Sequence, residues 1–135
     1  MIAEGVFERF PKLQFVFADG AADMLTPFMW RMDTFGRPHL EQTPWAPRMP
    51  SDYLPDHVYF VHGRMDGPGE AEFAGDWLSF TGKENMIMFG SSYPHWQLAD
   101  PALLPPAWSA EQLAKVCWCN AAELYGIDVP TAAVR

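Results

Sequence analysis

Apolar residues recur at helical spacing from Ile2 through Val6 and Phe7 to Phe10, and Pro11 stops the run, so a helix is predicted over residues 2–10. The pattern then changes. Leu13-Gln14-Phe15-Val16-Phe17-Ala18 is short and rich in aromatic and β-branched residues, the composition of a buried strand, and Asp19-Gly20 closes it as a strand-to-helix turn. A second helix is expected from about Ala22 to Thr34, with Met24, Leu25, Phe28, Met29 and Met32 apolar and Pro27 in its early turns. The stretch 36–50 is Pro-rich and reads as a loop anchored by Trp45. Ser51 is placed to cap a short helix through about Asp56.

The alternation continues. Val58-Tyr59-Phe60-Val61 is a second strand leading into His62-Gly63-Arg64, and a helix is expected from about Pro68 to Phe80. Asn85-Met86-Ile87-Met88-Phe89 is a third strand, ending in Gly90-Ser91-Ser92. After a proline-rich loop, Ser109 opens a helix, and Gln112 three residues later completes the Ser-x-x-Gln capping pattern. A last helix near Asn120 to Tyr125 is expected to stop at Gly126.

The order is α-β-α-β-α-β-α, with a helix after each strand. That order implies a parallel sheet with right-handed crossovers. The expected domain is single, residues 1–135. A complete eight-stranded barrel takes roughly 250 residues, and the chain supplies about three strand–helix units of one. Three parallel strands leave two open edges and faces that need covering. The expected fold class is therefore α/β, a partial barrel of the TIM (β/α) type, completed by or packed on another chain.

Composition narrows the partners. With 17 acidic residues against 9 Lys and Arg, the net charge is −8, which repels a phosphate backbone, and no basic cluster offsets it. Nucleic acid and anionic membrane surfaces are thus excluded as expected partners. No apolar run approaches the roughly 20 residues of a spanning helix. Met1-Ile2-Ala3-Glu4-Gly5 lacks the basic-then-apolar pattern of a signal peptide, so a cytoplasmic location is expected. Thirteen prolines, six tryptophans, ten phenylalanines and eight methionines suit either a large core or a large contact surface. Short chains bury proportionally less of themselves, which favours the contact surface. Cys117 and Cys119 are spaced too closely for a Cys-x-x-Cys site and are expected as buried thiols in a reducing compartment.

Candidate chemistry gathers at the C-terminal ends of the strands, where parallel α/β folds place their working residues. Asp19 follows the first strand, His62 and Arg64 the second, and Ser92, Tyr93 and His95 the third. Such a set could form a catalytic face. Each group could equally cap a loop, since turns attract Asp, Ser, Gly and Pro for their geometry alone. There is no His-x-His, no His-Glu-x-x-His, no two-His-one-carboxylate spacing and no Gly-x-Ser-x-Gly, so neither a self-contained metal site nor a nucleophile elbow is expected. His39 and His57 are expected to be structural or solvated.

Five stretches carry a resemblance. Gly5-Val6-Phe7-Glu8-Arg9-Phe10-Pro11-Lys12-Leu13, then Phe17-Ala18-Asp19-Gly20, and Trp30-Arg31-Met32-Asp33 are similar to the C-terminal part of the amidohydrolase 2 family, which includes aminocarboxymuconate-semialdehyde decarboxylase-like enzymes. Phe89-Gly90-Ser91-Ser92-Tyr93-Pro94-His95-Trp96 resembles that family's last-strand motif, and Asn120-Ala121-Ala122-Glu123-Leu124-Tyr125-Gly126 its closing helix. The resemblance runs over nearly the whole chain in the right order.

It implies a metal-dependent (β/α)8 barrel acting in hydrolysis or non-oxidative decarboxylation. The family holds zinc or manganese with a His-x-His on the first barrel strand, a mid-barrel histidine and a last-strand aspartate. Only the last of these maps here, and it maps onto Ser92, where Ser-Asp-Tyr-Pro-His reads Ser91-Ser92-Tyr93-Pro94-His95. A neutral hydroxyl is a poor ligand beside a carboxylate and cannot serve as general base. Asp19-Gly20-Ala21 replaces the family's His/Glu-Gly-Gly, and Gln97 stands where many members have an acid.

The resemblance assigns catalytic positions to Asp19 and His95, and substrate contacts to Arg31, His62, Tyr93 and Trp96. Arg31 could bind a substrate carboxylate or pair with Asp33 or a partner chain. No cofactor or metal is expected on this chain; zinc or manganese is expected, where present, in a partner. That partner is another amidohydrolase-like chain, supplying missing strands or a complete barrel in a hetero- or homo-oligomer. The alternatives are a non-catalytic subunit that stabilises an oligomer, and a gene remnant without activity.

Overall fold

The structure is a computed structural model and describes residues 1–18, 25–36, 41–62, 73, 76, 82–94, 104 and 108–128. Three strands form one parallel sheet in chain order: β1 (Phe15–Ala18), β2 (Val58–His62) and β3 (Ile87–Phe89). Around it lie α1 (Val6–Arg9), α2 (Leu25–Gly36) and α3 (Pro50–His57), a 3-10 turn (Lys83–Asn85), and a continuous C-terminal helical run. That run comprises α4 (Ala110–Ala114), a π-helical turn (Lys115–Cys119) and α5 (Asn120–Tyr125). Parallel pairing follows the α-β alternation, as expected. The helix expected over 68–80 and the last strand–helix connection lie largely outside the described residues.

Side chains alternate across a sheet, so pairing Phe15 with Val58, Phe17 with Phe60, and Phe60 with Ile87 sets these residues on one face. Val58, Phe60 and Ile87 are buried there with Phe7, Leu25 and Leu54. Each side chain so buried contributes roughly 1.5–3 kcal/mol. Phe17 stacks on Phe60 with ring centroids 5.5 Å apart. β1 departs from its expected burial: Phe15 and Phe17 are 37% and 46% exposed. It is an edge strand, and among the described residues no element covers its outer side.

The helices correct several expected boundaries. Gly5 has φ 64°, a conformation that ends a right-handed helix, so residues 2–5 form turns and α1 begins only at Val6. A Cβ at Gly5 would lie 2.8 Å from Trp45 Cδ1 and from Trp45 O. Trp45 also donates its Nε1–H to Ala3 O at 2.7 Å, and is the anchor expected of it. Ser51 does not cap α3. The helix starts one residue earlier, on Pro50, whose missing N–H costs nothing there. Ser51 instead donates its N–H and hydroxyl to the two Asp33 carboxylate oxygens, at 2.9 and 2.6 Å, and clamps α3 to α2.

His57 is structural: it is buried and stacks on Phe7 at 4.3 Å. Its Nδ1 lies 2.9 Å from Leu13 O, which can only accept, so Nδ1 carries the proton. Asn85 belongs to the 3-10 turn rather than to β3, which begins at Ile87.

The Ser109 capping box forms as expected. Ser109 Oγ accepts from Gln112 N at 3.2 Å, and Gln112 Oε1 accepts from Ser109 N at 2.9 Å. Gly126 ends the run at φ 63°. Between these ends the two expected helices are one. Cys117 is half-buried and Cys119 exposed, which corrects the expectation of two buried thiols. Residues two apart on a helix cannot share a buried face. Burial pushes the Cys117 thiol pKa up, away from the reactive thiolate.

Candidate functional site

The three strand ends lie side by side. Ala18 pairs with Val61, and His62 with Phe89, so the segments leaving β1, β2 and β3 emerge along one rim of the sheet. His62 is the last residue of β2 and stands on that rim. Asp19, His95 and Trp96, like Arg64, lie outside the described residues.

The loop after β3 is held close to β2. A Cβ on Gly90 would collide with Val61 Cγ1, so only glycine lets this loop approach. Ser92 then takes φ 55°, uncommon for a residue with a Cβ and more readily adopted by Asn or Asp. The Tyr93–Pro94 bond is cis, and Tyr93 N donates to Ser91 Oγ at 3.4 Å. Tyr93 projects from the loop, 79% exposed.

Arg31 lies on the exposed face of α2, its guanidinium 4.8 Å from the centroid of the Phe35 ring. Its suggested partner Asp33 is engaged by Ser51. Of the six expected site residues, then, His62 and Tyr93 are described at the rim and Arg31 elsewhere, on α2.

A divalent ion does not fit the described donors. Among the described residues no group of three His, Cys, Asp or Glu could hold an ion.

A second feature had no motif to announce it. A cavity of about 790 Å3 opens on the core side of the sheet, walled by Phe15 and Phe17 of β1, Phe28, Met32 and Phe35 of α2, and Leu54 of α3. Residues 90–94 do not line it, so it is separate from the loop after β3. Its only signal in the sequence was the excess of phenylalanine and methionine. Arg48 lines it too, but is occupied: it pairs with Asp56 at 2.8 Å, donates to Asp52 O and lies 4.7 Å over the Tyr53 ring. Its pKa is raised, chiefly by the hydrogen bond to Asp56. Among the described residues that line it, the cavity thus offers mainly apolar contact.

Among the described residues no helix is long and apolar enough to cross a membrane. No curated protein matches the chain. The model of the amidohydrolase family matches residues 1–127, nearly the full length and including both the β3 loop and the C-terminal helices, so the chain belongs to the amidohydrolase family.

Proposed function

We propose that this chain is the C-terminal part of a (β/α)8 barrel of the aminocarboxymuconate-semialdehyde decarboxylase-like kind, serving as a subunit of a metal-dependent hydrolase or carboxy-lyase complex without an intact metal site of its own. The observation that carries this reading is Ser92: a hydroxyl stands where the motif calls for a charged ligand and base. The three-stranded parallel sheet with an exposed edge supports incorporation into something larger. Within such an assembly, His62 and Tyr93 would meet substrate at the rim, with Asp19 and His95 in the catalytic positions; zinc or manganese would be held by the partner chain. Arg31, on an exposed helix face, would act across a subunit boundary.

Metal analysis and native mass measurement test this together. The purified chain is expected to hold no stoichiometric zinc or manganese and to recover a stoichiometric partner from its native cell. One tightly held ion per chain, or a soluble, cooperatively folded monomer that takes no partner, would sink it.

A second reading is also favoured by Ser92: a non-catalytic subunit that stabilises an amidohydrolase oligomer through its aromatic surface. Ser92→Asp separates the two. Metal binding restored only with the partner present supports a composite site, and its continued absence supports the non-catalytic role.

A further inference from the structure

The C-terminal helical run departs from regular geometry where it meets β3. Asn120 N donates to Lys115 O and closes the π-helical turn Lys115–Cys119. Such a turn holds about one residue more than an α-helical turn, and each residue of a regular helix advances it by about 100°. A regular helix from Lys115 onward would therefore bring the exposed Cys119 to the place that Asn120 takes. With the extra residue Asn120 is buried against the sheet, its Nδ2 2.7 Å from Ile87 O and 2.6 Å from Glu84 O.

What Asn120 holds does not end at Ile87. β3 is three residues long, and Ile87 and Met88, which face opposite sides of it, are both buried, so a shift at its start is carried through to its end. That end is Gly90, packed on Val61, from which Ser91, Ser92 and Tyr93 continue. Ile87 stands only about 10 Å from Gly90 along an extended strand. His62 pairs with Phe89, so the register of β3 on β2 sets where Tyr93 stands relative to His62.

We propose that Asn120 is a positioning residue for the rim: through β3 it sets the place of the Ser91–Tyr93 loop against His62, and the C-terminal helical run thereby governs the geometry of a site it does not enter. That the rim is a site rests on the assembly reading above; the coupling of Asn120 to the loop does not.

Nuclear magnetic resonance tests the coupling on the full chain, isotope-labelled in glycine and valine and purified with any partner it carries. Gly90 lies so close to the Val61 methyl that the two give a strong nuclear Overhauser effect, while Gly5, packed on Trp45, serves as a control. In Asn120→Leu, its folding verified by circular dichroism, the Gly90–Val61 effect is expected to be lost and the Gly90 signal to move, with the Gly5 signal unchanged. A general loss of stability would change both glycines alike. Asn120→Ser, whose single hydroxyl proton serves one carbonyl, is expected to give the same change in smaller measure, and it stands in for a Leu variant that does not fold. An unchanged Gly90 signal in a folded variant, or equal change at Gly5 and Gly90, overturns the proposal and leaves the assembly reading standing. A stoichiometric metal ion or a partnerless monomer overturns the assembly reading and leaves the coupling standing.

Discussion

Asn120 holds the start of β3 through its amide, 2.7 Å from the Ile87 carbonyl, and reaches the Glu84 carbonyl at 2.6 Å with the same nitrogen. A carboxamide NH2 has two protons, so both carbonyls can be satisfied at once. The side chain is buried, and water cannot replace it. Asn120→Ala is therefore expected to lower unfolding free energy by about 2–3 kcal/mol, the cost of stranding buried acceptors. Asn120→Asp should be worse, because a carboxylate would face two carbonyl oxygens. Urea titration by circular dichroism measures this, and a midpoint unchanged in Asn120→Ala would contradict the latch.

Alkaline pH should weaken the fold through Tyr53. Its phenol is buried and donates to Glu8 Oε1 at 2.8 Å, and its pKa is raised above 10.0, first by burial and then by that hydrogen bond. A raised pKa favours the neutral form in the folded state. Its contribution to stability is therefore complete below the ordinary tyrosine value and lost as pH rises through the folded value. Between about pH 9 and pH 11 the loss of stability should be shallower in Tyr53→Phe than in the native chain. Some slope should survive, since burial, with Glu123 second, also raises the pKa of Tyr59. Equal slopes in the two proteins would rule out Tyr53 as the source.

Two glycines with positive φ should respond differently to alanine. Gly126, at φ 63°, has nothing within 4 Å of the place an added methyl would take, so Gly126→Ala should cost only the left-handed conformation, about 1 kcal/mol. Gly5→Ala adds a collision with Trp45 at 2.8 Å and should cost about 2 kcal/mol or more. Thermal unfolding compares them directly, and a Gly5→Ala protein as stable as Gly126→Ala would remove the Trp45 contact from the account.

The Ser109–Gln112 box offers a smaller, coupled effect. Ser109→Ala is expected to cost about 1 kcal/mol. Gln112→Ala in that background should add less than it does alone, because the two hydrogen bonds close one turn together. A double-mutant cycle by denaturant unfolding checks it; strict additivity would mean that the two bonds act independently.

Local patterns determined much of this chain by themselves. The Ser109 box, the Gly126 stop and the three strands were legible because each depends on residues within a few positions of one another, and the parallel sheet followed from their alternation. Ser92 in the β3 motif was legible in the same way, through the order of neighbouring residues. Its φ of 55° was not, since that depends on how the loop passes over Val61 beyond Gly90. Tertiary structure alone decided that Gly5 breaks the first helix against Trp45, that Ser51 serves Asp33 rather than a helix end, and that Arg31 lies over Phe35. It also decided which side chain meets the Ile87 carbonyl. The Asn120–Ile87 bond spans 33 residues, and no local periodicity encodes a partner that far away. What pattern reads is propensity along the chain; what it cannot read is which side chain arrives from elsewhere to satisfy a buried polar group.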